Sequence, residues 1–276
     1  MSLTLEQIKL LKQLANNIYM KVDWFKTLIQ QLAHISKTIE NYFTSGSFGV
    51  KFYPFLMHPC VRKSCAFLIF IVAIISSFSG LFYLVAEHFT ILFSERSLTT
   101  YFHHSTLELL IPVGTLIGEK TSQLSPLSNV MSIMFKLQAG IFFFIYAIGI
   151  THITHNKLRV IGLILAFFFS VGCSLIAGIQ NGEHSEFGFY NLGASITFLI
   201  GNLTLIIAGL DTDTPSIRYF KRFSIIAGII GLSCIIVTMC LPTVFSPLIE
   251  RAGIYTIMIW EIIAGFAMIN RLRKLP

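Results

Sequence analysis

The amino-acid sequence predicts an all-α membrane protein, a six-transmembrane-helix bundle with an N-terminal amphipathic cytoplasmic helix. Hydrophobic residues make up 54% of the 276-residue chain, and charged residues make up 12%. Soluble domains carry about 25% charged residues, so this composition does not fit an ordinary soluble protein. The apolar residues also cluster in runs of about 20, the length that crosses roughly 30 Å of hydrocarbon as a helix.

Six apolar runs reach this length. We predict spans at residues 66–89, 131–153, 158–180, 190–210, 223–245 and 252–270. The two central runs, 160–179 and 192–210, predict a hairpin joined by the polar link 180–186. Small residues recur along the second run, and such residues let helices approach closely in lipid. We therefore expect the hairpin inside a helical bundle.

Lysine and arginine residues beside the predicted spans fall mainly on one side of the membrane. That side receives Lys51, Arg62, Lys63, Lys157, Arg159, Arg218, Lys221, Arg222, Arg271, Arg273 and Lys274, and the other receives Arg96, Lys120 and Arg251. Basic loops stay in the cytoplasm, so we predict a multi-pass protein of the cell membrane with both termini cytoplasmic. This topology accounts for the formal charge of +7 without nucleic acid as a partner.

Residues 1–60 precede the bundle domain, 61–276, and contain no run of spanning length. Apolar side chains recur every three or four residues from Ile8 to Phe43, which predicts one amphipathic helix over residues 4–43. The broad stripe and Trp24 favour a helix that lies on membrane lipids. The heptad regularity favours a coiled coil, with self-association or a protein partner through residues 4–43. Packing against the protein's own bundle is the third alternative.

A long loop, residues 90–130, separates the first two spans on the predicted outer side. Its apolar segment, 107–118, is too short to cross the membrane. Loops of this length are usually functional or disordered, and the apolar content argues against disorder. We expect a packed extracytoplasmic cap whose segment 107–118 lies on the outer surface or dips into it.

Cysteine and histidine spacing predicts neither a metal centre nor another cofactor. His58, Cys60 and Cys65 match no usual zinc spacing and lack a fourth ligand. The three remaining cysteines fall within spans, so we expect no disulfide framework. Cys60 and Cys65, beside the first span, are either free thiols or sites of acylation.

Most acidic and histidine side chains lie on the predicted outer side. His104 and Glu108 are four residues apart and would share a helix face, while Glu183 and His184 occupy the turn of the central hairpin. These four are the candidate catalytic residues, as an acid/base pair or as metal ligands that converge from two loops. The alternative is that they are solvated loop side chains, since no spacing resembles His-Glu-x-x-His.

Polar side chains inside the spans cost a few kcal/mol unless they are paired. Lys136, Gln138, Asn202 and Glu261 are of this kind, and together with Arg251 they are the candidate ligand-binding residues. Glu261 lies midway along the last span, so it requires a partner or a proton. We predict an ion pair with Lys136 or another interhelical hydrogen bond; the alternative is a proton-relay or substrate role. Asn202 is expected to hold helices together.

The second half of the chain carries motifs that resemble a known family. They are Gly178, then Leu192-Gly193-Ala194 with Phe198 and Gly201-Asn202, and finally Glu250-Arg251-Ala252-Gly253-Ile254-Tyr255 with Trp260. In these residues, and over about 66–272, the chain resembles the six-span prokaryotic membrane proteins grouped as domain-of-unknown-function family 998. The resemblance implies a six-helix bundle of bacterial type and no particular activity. That family commonly has a histidine where this chain has Tyr190.

Three classes of function are consistent with these features. The first is a non-enzymatic membrane protein that binds lipid or a protein partner, with Arg251 and Lys136 at a head group. The second is a membrane enzyme that acts on a lipid-linked substrate at the outer face. The third is a small proton-coupled transporter with Glu261 as the titrating group. Nucleotide chemistry is not expected, because no glycine-rich phosphate loop follows a strand.

Overall fold

The computed structural model describes residues 58–94, 97–111, 126–154, 157–178, 189–241 and 245–273, residues 113, 116–117, 120–121 and 243, and scattered positions from 27 to 42. The chain divides into two compact units, Met1–Pro54 and Phe55–Pro276. In the first unit the described positions are helical and mostly exposed. Most of the predicted amphipathic helix lies outside the described residues, so that helix stays a prediction.

The described part of the second unit is helical apart from one short ribbon. Helix α1 covers Pro59–Leu92 and helix α2 covers Ser97–His103. A 3-10 turn, Glu108–Leu110, precedes strands β1, Leu116–Ile117, and β2, Lys120–Thr121, which pair antiparallel.

The remaining elements complete the bundle. The helices are α3, Ser128–Phe144; α4, Thr151–Ile153; α5, Arg159–Gly178; α6, Phe189–Ser195; α7, Gly201–Leu210; α8, Arg218–Cys240; and α9, Ser246–Leu272. A π-helical segment, Ile145–Ile150, joins α3 to α4, and a second, Ile196–Ile200, joins α6 to α7. A 3-10 turn, Pro215–Ile217, leads into α8.

Six helical stretches of the described chain are long and apolar enough to cross a membrane, which agrees with the predicted number of spans. They are span 1, Pro59–Leu92; span 2, Ser128–Ile153; span 3, Arg159–Gly178; span 4, Leu192–Leu210; span 5, Pro215–Cys240; and span 6, Ser246–Leu272. Spans 1 and 5 begin at residues 59 and 215 rather than at the predicted 66 and 223. Both begin with proline, which suits the first turn of a helix because its missing N–H is not needed there.

Spans 1 and 6 pack antiparallel in one continuous register. Ser76 Oγ donates to the carbonyl oxygen of Glu261 at 2.7 Å. A methyl group added to Gly80 would overlap the carbonyl oxygen of Met258, and one added to Gly265 would overlap the backbone of span 1. Glycine is therefore required at these two positions, because the helix backbones approach too closely for a Cβ atom.

Asn202 joins span 4 to its neighbours. Its Nδ2 donates to the carbonyl oxygen of Gly253 in span 6 at 3.1 Å, and Thr256 Oγ1 donates to its Oδ1 at 2.8 Å. Span 5 approaches the same place, because a methyl group on Gly231 would overlap the Asn202 amide. Asn202 thus has the packing role predicted for a buried amide.

The cap is the name used here for the segment between spans 1 and 2, residues 93–127, of which 93–94, 97–111, 113, 116–117, 120–121 and 126–127 are described. Leu109 and Leu110 are buried and belong to the hydrophobic core of the bundle. The described positions of the predicted surface or re-entrant segment 107–118 form a 3-10 turn and strand β1 rather than a helix that enters the membrane. The described part of the cap therefore packs against the ends of the spans.

The close contact between spans 1 and 6 makes Gly80 sensitive to a single methyl group. Gly80→Ala is expected to lower the free energy of unfolding by about 1–3 kcal/mol, the usual cost of overpacking. Gly140→Ala is the matched control, because nothing lies within 4 Å of its added methyl group. Alanine is the better helix former, so the control is expected to gain up to about 1 kcal/mol. Thermal unfolding in detergent measures both, and equal changes would contradict the register.

The predicted orientation is tested by cysteine labelling. Cys60, Cys65 and Cys240 are exposed and are first replaced by serine. Thr99→Cys, in α2, is then expected to react with a membrane-impermeant maleimide in intact cells. Lys157→Cys, between spans 2 and 3, is expected to react only after permeabilisation. Both positions are exposed, so the opposite pattern would reverse the orientation.

Candidate binding site

An ion pair joins span 1 to span 6 at the end of the bundle that carries the cap. Arg251 Nε donates to Glu87 Oε1 at 2.9 Å, and the two side chains are 1% and 0% exposed. Thr106 Oγ1, from the cap, donates to the same carboxylate oxygen at 2.9 Å. A buried pair needs such additional hydrogen bonds, because the desolvation of both charges offsets much of their attraction.

The Arg251 guanidinium also contacts the cap directly. Its Nη1 donates to the carbonyl oxygen of Tyr101 at 2.5 Å, and its central carbon lies 5.2 Å from the centre of the Tyr101 ring. Tyr101 belongs to α2, so this one side chain holds α2 against span 6. Lysine would not replace it, because only the planar guanidinium provides a fork of donors and a face that stacks on a ring.

Five buried polar atoms around this pair have no hydrogen-bond partner among the described residues. They are Tyr83 Oη, Glu87 Oε2, Glu250 Oε1, Arg251 Nη2 and Tyr255 Oη. These five residues, with Tyr101 and Thr106, are called the cap-end cluster below. Native proteins satisfy roughly 90% or more of their buried polar groups, and each unsatisfied one costs about 1–3 kcal/mol. The concentration of such atoms in one place indicates that water or a polar ligand completes the cluster.

The tyrosines of the cap-end cluster lie near its carboxylates. Tyr255 interacts with Glu87 at longer range than the hydrogen bonds given above, and Tyr83 lies within electrostatic range of both. Glu250 and Tyr255 are half-buried as whole residues, so the cluster reaches the surface of the bundle on their side. The exposed ring of His88 stacks on Tyr255 there, with 6.0 Å between ring centroids.

The cap-end cluster is expected at the depth of lipid head groups. About 20 helical residues cross the hydrocarbon, and a count from the predicted start of span 1, Ala66, toward the cap ends at Val85, just before Glu87. Arg251 is likewise the last charged residue before the apolar stretch of span 6. We therefore expect the ion pair, which is buried in protein, to lie level with the membrane interface.

The predicted contact between His104 and Glu108 is present. His104 Nδ1 lies 2.6 Å from Glu108 Oε2, across the turn that follows α2 rather than along a helix face. Glu183 and His184 lie outside the described residues, so their convergence with this pair stays a prediction. In the part of the chain that the structure describes, no three His, Cys, Asp or Glu side chains gather as metal ligands.

The predicted ion pair between Lys136 and Glu261 is wrong. Lys136 is exposed on the bundle surface, whereas Glu261 is fully buried. Glu261 Oε2 accepts instead from Gln138 Nε2 at 2.9 Å, and the same nitrogen donates to Ser79 Oγ at 3.0 Å. Positions 136 and 138 are about 200° apart on a helix, so only one of them faces span 6. Glu261 thus has the interhelical hydrogen bond that was the other prediction.

The structure separates the predicted ligand-binding residues. Arg251 belongs to the cap-end cluster, Gln138 and Glu261 lie in the middle of the bundle, Asn202 joins spans 4 and 6, and Lys136 is on the surface. Sequence reasoning missed Glu87, the main partner of Arg251. An available signal was the presence of opposite charges at the same end of two antiparallel spans.

The six candidate spans define the class to which this chain belongs, that of multi-pass membrane proteins. A scan against protein-family models, a search of curated proteins and a search of solved structures each find no match. The resemblance to family 998 stays a prediction.

The buried ion pair is expected to contribute to stability as a unit. Arg251→Met leaves the Glu87 carboxylate buried without its cation, and this is expected to lower the free energy of unfolding by about 3–5 kcal/mol. Glu87→Gln is expected to act in the same direction, and the double variant to recover part of the loss. Lys136→Met, at an exposed position, is the control and is expected to change stability by less than about 0.5 kcal/mol. Thermal unfolding in detergent measures all four proteins, and strictly additive losses would contradict the pairing.

Proposed function

We propose that this protein is a non-enzymatic membrane protein that binds a membrane lipid, with the lipid head group in the cap-end cluster. The observation that carries the proposal is the set of five unpartnered polar atoms around the Glu87–Arg251 pair. Two are carboxylate oxygens, one is a guanidinium nitrogen and two are hydroxyl oxygens. The bound group must therefore both donate and accept hydrogen bonds.

Ethanolamine and glycerol head groups meet this requirement. Each combines a phosphate, which accepts from Arg251 Nη2, with N–H or O–H groups that donate to the free oxygens of Glu87 and Glu250. A choline head group carries no N–H or O–H donor, so it leaves both carboxylate oxygens unsatisfied. The chemistry of the cap-end cluster therefore favours ethanolamine and glycerol phospholipids over choline phospholipids.

The acyl chains of such a lipid have an apolar surface on span 6, on the side where the cap-end cluster reaches the surface. Ile259 and Phe266 are exposed there, about 40° and 20° around the helix from Tyr255, so they form one stripe with it. Acyl chains pack on such a face without regard to the head group, so specificity rests on the cap-end cluster.

An enzyme that acts on a lipid-linked substrate is the second candidate. The observation that favours it is the contact between His104 and Glu108, since a carboxylate can orient an imidazole as a general base. The nearby hydroxyl of Ser105 accepts from the Glu108 N–H at 3.2 Å and so stabilises the turn. Binding is the better-supported function, because the unpartnered atoms lie in the cap-end cluster and not at this pair.

Lipid-dependent thermal stabilisation tests the proposal. The purified protein is titrated with phosphatidylethanolamine, phosphatidylglycerol and phosphatidylcholine that carry identical acyl chains. The first two are expected to raise the unfolding temperature more than the third. Glu250→Gln is expected to require about ten-fold more lipid for the same rise in unfolding temperature. This corresponds to about 1.4 kcal/mol of binding free energy, as the loss of one charged hydrogen bond implies.

Two controls make the test specific to the cap-end cluster. Lys136→Met removes an exposed cation outside the cluster and is expected to leave the lipid response unchanged. His104→Ala removes the imidazole of the second candidate and is also expected to bind lipid normally. Equal stabilisation by the three lipids, or an unchanged response in Glu250→Gln, would contradict the proposed site.

A further inference from the structure

Polar side chains continue from the cap-end cluster into the middle of the membrane, between spans 1 and 6. Ser79, Tyr83 and Glu87 are four residues apart on span 1, so they share one helix face over about 12 Å. The register of the two spans sets Tyr83 beside Tyr255. We call five polar side chains the polar seam: Ser79, Tyr83, Tyr255 and Glu261 of spans 1 and 6, together with Gln138 of span 2.

The polar seam has unsatisfied polar atoms at each level. Among the described residues no hydrogen bond reaches Glu261 Oε1 or Gln138 Oε1 in the middle, Tyr83 Oη or Tyr255 Oη at the next level, or Glu87 Oε2 at the cap end. Successive levels are about 6 Å apart along span 1, a distance that one bridging water covers with two hydrogen bonds. A buried water needs two to four polar partners, and these atoms provide them.

Glu261 faces hydroxyl, amide and thiol groups from the spans packed against it. Span 1 contributes the hydroxyl of Ser79 and, one helical turn further on, that of the titratable Tyr83. Span 2 contributes the amide of Gln138, and span 3 contributes the titratable thiol of Cys173. No cation is among these neighbours in the described chain. A carboxylate without a cation is costly in an apolar interior, so the neutral acid is the form that this environment accommodates.

The contact between spans 1 and 6 is closed on the other side of Glu261. Ser76 and Ser77 there already donate to backbone carbonyl oxygens, at 2.7 and 3.2 Å. Beyond them, a methyl group on Gly265 would overlap the Ala73 carbonyl oxygen. The unsatisfied atoms of the polar seam therefore lead from Glu261 toward the cap end and not toward the opposite end.

We propose that water fills the polar seam and that Glu261 exchanges its proton with the aqueous phase at the cap end. The Glu261 O–H bond breaks and the proton passes to the adjacent water; the reverse step restores the acid, and no electron is transferred. Gln138 Nε2, 2.9 Å from Glu261 Oε2, stabilises the carboxylate while the proton is away. The route passes through Tyr83 and Tyr255, which also belong to the cap-end cluster, whereas Glu261 and Gln138 belong to the polar seam alone. Glu261→Gln therefore tests the proton exchange without a change to the proposed lipid site.

Hydroxyl-radical labelling with mass spectrometry detects the water. Met258 is 2% exposed, and its sulphur lies 3.4 Å from Gln138 Nε2 in the polar seam. Met268 is 0% exposed and lies against Gly149 on the closed side of Glu261, so it is the matched control in the same protein. Met258 is expected to oxidise several-fold faster than Met268. Equal oxidation of the two would overturn the proposal.

Infrared spectroscopy detects the proton. The carbonyl stretch of a protonated carboxylic acid is expected in the wild type and lost in Glu261→Gln. The Tyr83 hydroxyl lies between Glu261 and the cap end, and we assign it as a relay for the proton. The shift of this band in D2O is therefore expected to appear at least about ten-fold more slowly in Tyr83→Phe. Lys136→Met, outside the polar seam, is expected to match the wild type. Absence of the acid band, or unchanged exchange in Tyr83→Phe, would also overturn the proposal.

Discussion

The antiparallel register between spans 1 and 6 is the constraint on which the other contacts depend. Gly80 and Gly265 let the two backbones meet, and the same register sets Glu87 against Arg251 at the cap end. A slip of one residue would turn Arg251 about 100° away from Glu87 and leave two buried charges unpaired. Glycine packing and charge pairing therefore specify the same arrangement of the two spans. Because the two kinds of contact agree, this arrangement is favoured over other packings of the same helices.

The cap is part of the site and not only a cover over it. Thr106 of the cap donates a hydrogen bond to Glu87, and the carbonyl group of Tyr101 accepts one from Arg251. The hydrogen bonds that hold the cap in place are therefore also hydrogen bonds of the cap-end cluster. A ligand that competes for Arg251 or Glu87 therefore also changes what holds α2 against span 6. The proposed binding and the position of the cap are therefore expected to be thermodynamically linked through these few hydrogen bonds.

Composition and apolar run length were sufficient to predict the number of candidate spans, because the cost of polar groups in hydrocarbon acts on every residue of a span. They were not sufficient for the site. The Glu87–Arg251 pair joins residues 164 positions apart, and hydropathy carries no information on which spans are neighbours. The prediction of Lys136 as the partner of Glu261 was wrong for the same reason, because hydropathy does not show how a span is rotated. Lys136 and Gln138 are two residues apart, and only the rotation of span 2 decides which of them faces span 6.

Spans 2 and 4 each contain a π-helical segment, Ile145–Ile150 and Ile196–Ile200. Hydrogen bonds in a π-helix run from i to i+5, so such a turn holds one residue more than an α-helical turn and rotates the next part of the helix by about 100°. In span 4 this rotation comes directly before Asn202 and sets the direction of its amide toward span 6. In an alignment with a relative whose fourth span is a continuous α-helix, the one-residue gap therefore belongs within the membrane and not in a loop.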